Sequence, residues 1–182
     1  MKAFFRYLDK KRLAITNPFL EEKILDVGCG PATTYYLNNI KEYVGIERGR
    51  KHVMNLRKKF PLAEFYDLDL EKDKFNFKDK FDTIILLAVI EHIKNPDNLF
   101  RELKKCLNQD GKIVITTPTP IGNFIHDVLS KVGITSKEAT REHVNIYDFK
   151  KFFNTAEKYG LKVIKYKKFQ LGCNSLTILK KK

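Results

Sequence analysis

The stretch Ile24-Leu25-Asp26-Val27-Gly28-Cys29-Gly30-Pro31-Ala32-Thr33 decides the fold. A short apolar run breaks at two glycines and then continues into residues that can be helical. That pattern is a strand, a tight turn and a helix start. Gly28 and Gly30 carry no Cβ, so the main chain can bend sharply there and a ligand can lie against its N–H groups.

A second feature stands at the expected distance. Tyr43-Val44-Gly45-Ile46-Glu47 reads as another strand and ends in an acid 19 residues after Gly28. An acid about 20 residues past a glycine turn, at the tip of the second strand, is placed to accept from a ribose diol in doubly wound folds. The G-x-G-x-x-G dinucleotide fingerprint fails here at its last position, which is Thr33. A nicotinamide cofactor is therefore disfavoured.

Working outward, strands and helices alternate. Residues 1–20 read as a helix stopped near Asn17-Pro18 that covers the sheet edge or the ligand mouth, with a basic amphipathic membrane contact as the alternative. Strands are expected at 23–28, 42–47, 62–67, 81–89 and 112–117, with helices at 32–40, 49–59 and 97–107 between them. The run from Phe81 to Val89 is almost continuously apolar, as suits a central strand buried on both faces. Residues 118–145 read as irregular or partly helical, and 147–159 as a helix ended by Gly160. Two β-rich runs, 161–169 and 173–180, are separated by so short a link that they should form an antiparallel hairpin. The alternation implies an α/β fold with a parallel sheet between two helical layers.

The string Leu25-Asp26-Val27-Gly28-Cys29-Gly30-Pro31-Ala32-Thr33 closely resembles the first motif of class I S-adenosylmethionine-dependent methyltransferases. Further strings extend the resemblance from about residue 20 to 180: Leu68-Asp69-Leu70-Glu71, Phe81-Asp82-Thr83-Ile84-Ile85, Ala88-Val89-Ile90-Glu91-His92-Ile93 with Asn95-Pro96, and Gly111-Lys112-Ile113-Val114-Ile115-Thr116-Thr117-Pro118. The small-molecule branch, of type 11 and type 23 kind, is the most similar. The resemblance implies a Rossmann-like three-layer sandwich, with a seven-stranded, mainly parallel sheet that ends in an antiparallel hairpin. It implies one methyltransferase domain over 1–182, with an N-terminal helix at 1–20 and a substrate-cover insertion at 118–145.

The same resemblance implies S-adenosylmethionine as cofactor and a set of roles. Asp26 attracts the ammonium of the methionine part, and Gly28, Cys29, Gly30 and Thr33 form the turn against it. Glu47 accepts from both ribose hydroxyls. Asp69 accepts from the adenine amino group beside Leu70, with Asp67 an alternative two residues away. Leu87 and Ala88 line the pocket. His92 and His143 are the candidate catalytic residues; His126 and His52 are weaker ones, and Asp82 reads as a structural acid. Glu91 lies at the mouth.

Composition narrows the compartment and the acceptor. Cys29, Cys106 and Cys173 are odd in number and lack C-x-x-C spacing, which argues against a disulfide framework and a zinc site and for a reducing cytoplasm. No signal-peptide core or 18-residue apolar run is present, so membrane association is not expected. The formal net charge of +13 suits an anionic partner, or a lysine-rich surface that merely keeps the protein soluble. Thr117-Pro118-Thr119-Pro120 stands where base-amino-methylating enzymes carry an Asn/Asp-Pro-Pro-aromatic string, and no cysteine follows a proline. A small or lipid-like acceptor is thereby favoured. A nucleic-acid methyltransferase with a basic cofactor mouth and a non-catalytic cofactor-binding protein are the alternatives. The sequence leaves the oligomeric state open.

Overall fold

The computed structural model describes residues 10–38, 40, 42–131 and 144–182. A seven-stranded sheet runs through them in the order β3-β2-β1-β4-β5-β7-β6. Its strands are β1 (Lys23–Val27), β2 (Glu42–Glu47), β3 (Glu64–Asp67), β4 (Phe81–Leu87), β5 (Leu107–Pro118), β6 (Leu161–Phe169) and β7 (Asn174–Lys181). The first five pair in parallel, while β7 runs antiparallel to both β5 and β6. The expected hairpin is therefore present, and its returning strand inserts between β5 and β6 rather than at the sheet edge.

Period-two alternation sends side chains into two cores. Leu25, Val27, Ile84, Leu86, Ile113 and Ile115 face one side. There they meet Leu99, Phe100 and Leu103 of α4 (Asp97–Cys106) and Phe152 and Ala156 of α6 (Phe149–Lys158). Ile24, Tyr43, Ile85, Val114 and Ile178 face the other, against Val53 and Leu56 of α3 (Arg50–Lys59). Tyr35 of α2 (Thr33–Asn38) and Ile15 of α1 (residues 10–16) pack on that second side. Fully burying each such side chain stabilises by roughly 1.5–3 kcal/mol. A 3₁₀ turn at Asn17–Phe19, with Pro18 in it, ends α1 where the sequence suggested.

Several boundaries shift by one or two residues, with β3 starting at Glu64 and α6 at Phe149, and three differences have a distinct physical form. Strand β4 stops at Leu87, because Ala88 turns to φ 59°, a left-handed conformation that no strand continues through. Strand β5 begins at Leu107, which pairs with Phe81; the chain then bulges and the ladder resumes at Thr83–Lys112. Within 118–145, residues Pro120–Lys131 form a full helix, α5, which leaves the C-terminal end of β5.

Candidate cofactor trench at the carboxyl ends of the strands

The glycine turn after β1 is clamped to the tip of β2. The N–H groups of Gly28 and Cys29 both donate to the Ile46 carbonyl, at 2.8 and 3.0 Å. The Gly30 N–H donates to Glu47 Oε2 at 2.7 Å. This corrects the expectation that these N–H groups are left for a ligand: the neighbouring strand end takes them and so fixes the turn. The turn still needs glycine. Gly28 has φ 69°, and a Cβ there would lie 2.6 Å from Val89 Cγ2. Gly30 has φ 52°, with nothing within 4 Å of a Cβ position, so its face is open.

Two cavities meet at Gly28. One, of about 290 Å³, is lined by Glu47, Leu68, Asp69, Leu70, Ala88 and His92 among others. The second, of about 200 Å³, is lined by Arg12, Asp26, Cys29, Gly30, Thr33 and Leu87 among others. Together they form a trench across the carboxyl ends of β1, β2, β3 and β4, where open α/β sheets take their ligands. All ten cofactor residues named from the sequence line it.

Asp26 is buried and accepts from the Tyr43 hydroxyl at 2.7 Å. Burial pushes its carboxyl up to about 7, against hydrogen bonds from Tyr43 and Thr34 that pull it down. An incoming ammonium would draw it back to the charged form. Glu47 spends one lone pair on Gly30 and one on its neighbour's Arg48 N–H. A carboxylate offers about four acceptor positions, so a diol can still be held. Cys29 is buried beside these acids, and burial together with their charge pushes its thiol far up, which makes it inert as a nucleophile.

The structure separates Asp69 from Asp67. Asp69 lines the larger cavity, with the Arg48 guanidinium 3.5 Å from its Oδ2. Asp67 turns away and accepts from the Gly49 N–H at 2.8 Å, fixing the loop before α3. His92 lies on a 3₁₀ turn (Ile90–His92) and lines the larger cavity, on the Asp69 side of Gly28. His52 of α3 reaches the Gly30 carbonyl at 3.0 Å, a turn contact the sequence did not suggest. Asp82 accepts from the Asn108 side-chain amide and braces the β5 bulge. His143 lies outside the described residues, as does the side chain of His126 on α5.

Glu91 is not at the mouth but beneath it. It is buried, accepts from the Thr117 hydroxyl at 3.0 Å, and burial pushes its carboxyl up. Its main-chain carbonyl accepts from the N–H groups of Val144 and Asn145, which ties that segment to the end of β4. The sequence also missed Arg12 and Leu13 of α1, which wall the Asp26 side of the trench, and Tyr43, which holds Asp26.

A trench of this kind, with an acid under one half and a second-strand acid beside a glycine turn, defines a nucleotide-cofactor-binding α/β domain. Its donor set fits S-adenosylmethionine: a buried acid for an ammonium, a carboxylate for a diol, and Leu68, Val89 and Ile93 for a flat apolar ring. A family model described as a methyltransferase domain matches residues 2–166. The chain belongs to that family, the class I S-adenosylmethionine-dependent methyltransferases. Among curated proteins, a tRNA U34 carboxymethyltransferase of Campylobacter lari is 29% identical over 117 residues, covering 57% of this chain. That of Campylobacter fetus is 32% identical over 118 residues, covering 56%. The chain spans 39% of the length of each. A TehB-like methyltransferase of Corynebacterium glutamicum superposes with TM-score 0.70 at 18% identity, covering 100% of this chain and 96% of the other. A glycopeptide N-methyltransferase, MtfA, solved with S-adenosylmethionine, gives 0.72 at 11% identity, covering 95% of this chain and 86% of that one.

Proposed function

We propose that the chain transfers the methyl group of S-adenosylmethionine to a small acceptor with an apolar body. The observation that carries this reading is the trench: Asp26 and Gly28 of the β1 turn, Glu47 at the tip of β2 and Asp69 after β3, from three separate segments, line two cavities that share one glycine. When bound, the cofactor supplies an electrophilic methyl on a sulfonium, which a nucleophile displaces in line. Asp26 holds the ammonium end and Arg12 the carboxylate beside it. Glu47 holds the ribose diol and Asp69 the adenine amino group. His92, standing on the adenine side, packs against the ring rather than taking a proton. What remains for the protein to supply is proximity and alignment.

The acceptor class follows from charge placement. Arg12 and Arg48 face the trench among Asp26, Glu47, Asp69 and Glu71, so the mouth carries no excess of cations. A dense basic cluster of Lys80, Arg101, Lys104, Lys158, Lys181 and Lys182 lines a hollow at the opposite edge, by the start of β4 and the end of β7. A polyanion held there is not at the trench. Leu13 and Leu87 instead flank the methionine half with apolar surface.

The test is transfer of label from methyl-tritiated S-adenosylmethionine, with a panel of small amphiphiles and a bulk tRNA fraction offered in parallel. Label partitioning into the organic phase supports the reading. Label confined to acid-precipitable RNA overturns the acceptor class. Absence of calorimetric binding of S-adenosylmethionine and its demethylated product overturns the cofactor assignment itself.

A further inference from the structure

We propose that the rim beside the trench, built from α1, the β6–β7 turn and α5, seats on an anionic lipid bilayer surface. The proposal extends the amphiphilic-acceptor reading above and locates the source of that acceptor.

The rim is one connected structure. The Thr119 hydroxyl donates to the Gly172 carbonyl at 2.6 Å, and the Thr119 N–H donates to the Cys173 carbonyl at 2.9 Å. Gly122 packs so tightly on that same turn that a Cβ would lie 1.9 Å from the Cys173 carbonyl oxygen. From the other side, Arg12 of α1 donates to Asn174 Oδ1 at 3.4 Å, and Asn174 donates to Gln170. The same Arg12 lines the trench, so rim and cofactor site share a wall.

The packed face of α5 is thus its Gly122 side. Its other face carries Ile121, Phe124, Ile125 and Val128, at i, i+3, i+4 and i+7, and they are 55, 68, 41 and 43% exposed. Leu171, at the tip of the β6–β7 turn, is fully exposed. An apolar stripe at helical spacing that the described residues leave exposed beside a ligand mouth marks a contact surface.

Charge selects the partner. Lys167 and Lys168 stand exposed at the end of β6, three and four residues before Leu171, and Lys10 and Lys11 are exposed at the start of α1. An exposed apolar stripe on a rim whose other two elements carry exposed lysines matches the boundary between acyl chains and anionic headgroups. A protein groove would not require the cations, and a nucleic acid would not require the stripe. The absence of any described helix long enough to cross a membrane does not bear on this, because the stripe lies on the surface and spans nothing.

The test is co-sedimentation of the full chain with phosphatidylglycerol-containing vesicles and with pure phosphatidylcholine vesicles. Sedimentation with the former, at least fivefold above the latter, is expected. Phe124→Ser with Ile125→Ser should lower it at least fivefold while melting temperature and S-adenosylmethionine affinity stay unchanged. Lys167→Glu with Lys168→Glu should lower it on anionic vesicles, whereas Lys104→Glu with Lys158→Glu, at the opposite edge, should not. The proposal is overturned by equal recovery with and without vesicles, or by loss of binding in the opposite-edge variant. It is overturned equally if the stripe variant melts lower, since the stripe would then be packed on its own chain, or if that variant dissolves a dimer. Failure on vesicles with persisting methyl transfer to soluble amphiphiles would leave the acceptor reading standing and remove only the docking surface.

Discussion

Asp26 carries the sharpest consequence at the scale of single residues. Folding buries its carboxyl and raises it from 3.8 to about 7. Between those values the folded chain keeps a proton that the unfolded chain releases. This contribution to stability is therefore present in full below about 4 and is lost as pH rises to about 7, a span of roughly 4 kcal/mol. Melting of the ligand-free protein should drop between pH 5 and pH 7.5, and Asp26→Asn should flatten that part of the curve. Cofactor affinity should move the opposite way. An ammonium binds the ionised acid, so affinity rises through neutrality in the wild type and stays level in Asp26→Asn; parallel curves for the two would remove Asp26 from the site. Glu47→Ala should cost about 1–3 kcal/mol of S-adenosylmethionine binding, the scale of lost hydrogen bonds to a charged group. Isothermal titration measures it, and unchanged affinity rejects the diol assignment. Asp26, Glu47 and the glycines were legible in the sequence because the requirement for them is local. Tyr43 and Arg12 were not: one reaches Asp26 only through the β1–β2 register, the other only because α1 docks beside the trench.

Among the elements, α5 shows where local reading stops. Thr119 caps its N-terminus through the Gly122 N–H at 3.1 Å, and Pro120 follows at the first helical position. This cap-and-proline signal was present in the sequence. It does not by itself announce a packed helix, because the apolar stripe beyond it faces water rather than a core. The end of β4 was misplaced for a related reason. Apolar composition continues through Val89, while the backbone turns at Ala88, whose N–H donates to the Thr116 carbonyl at 2.9 Å. Gly122 then yields a prediction for the element as a whole. Gly122→Ala must push α5 off the Cys173 carbonyl and should destabilise by about 1–3 kcal/mol, the usual scale of overpacking. Urea unfolding reads that loss. Cofactor affinity should not change with it, because Gly122 lines neither half of the trench.

For the whole molecule, the trench is made from the carboxyl ends of four adjacent strands, β3, β2, β1 and β4, which are brought together only when the sheet forms. Asp26 and Gly28 come from β1 and its turn, Glu47 from β2, Asp69 and Leu70 from the loop after β3, and Leu87 and Ala88 from the end of β4. A ligand lying across them adds contacts between segments that the unfolded chain does not hold together, so it binds the folded state alone. At a concentration one hundred times its dissociation constant, such a ligand stabilises by about 2.7 kcal/mol. For a chain in the range of 150–250 residues, 1 kcal/mol moves the melting temperature by about 2–4 °C. S-adenosylmethionine at that excess should therefore raise it by roughly 5–11 °C, with the demethylated product close behind and NAD without effect. The Glu47→Ala variant should need a proportionally higher concentration for the same rise, because its binding is weakened while the other three strand ends remain. A rise of equal size with NAD would mean that the trench recognises only the adenosine half common to both molecules, and the assignment of Asp26 to the methionine end would fall with it.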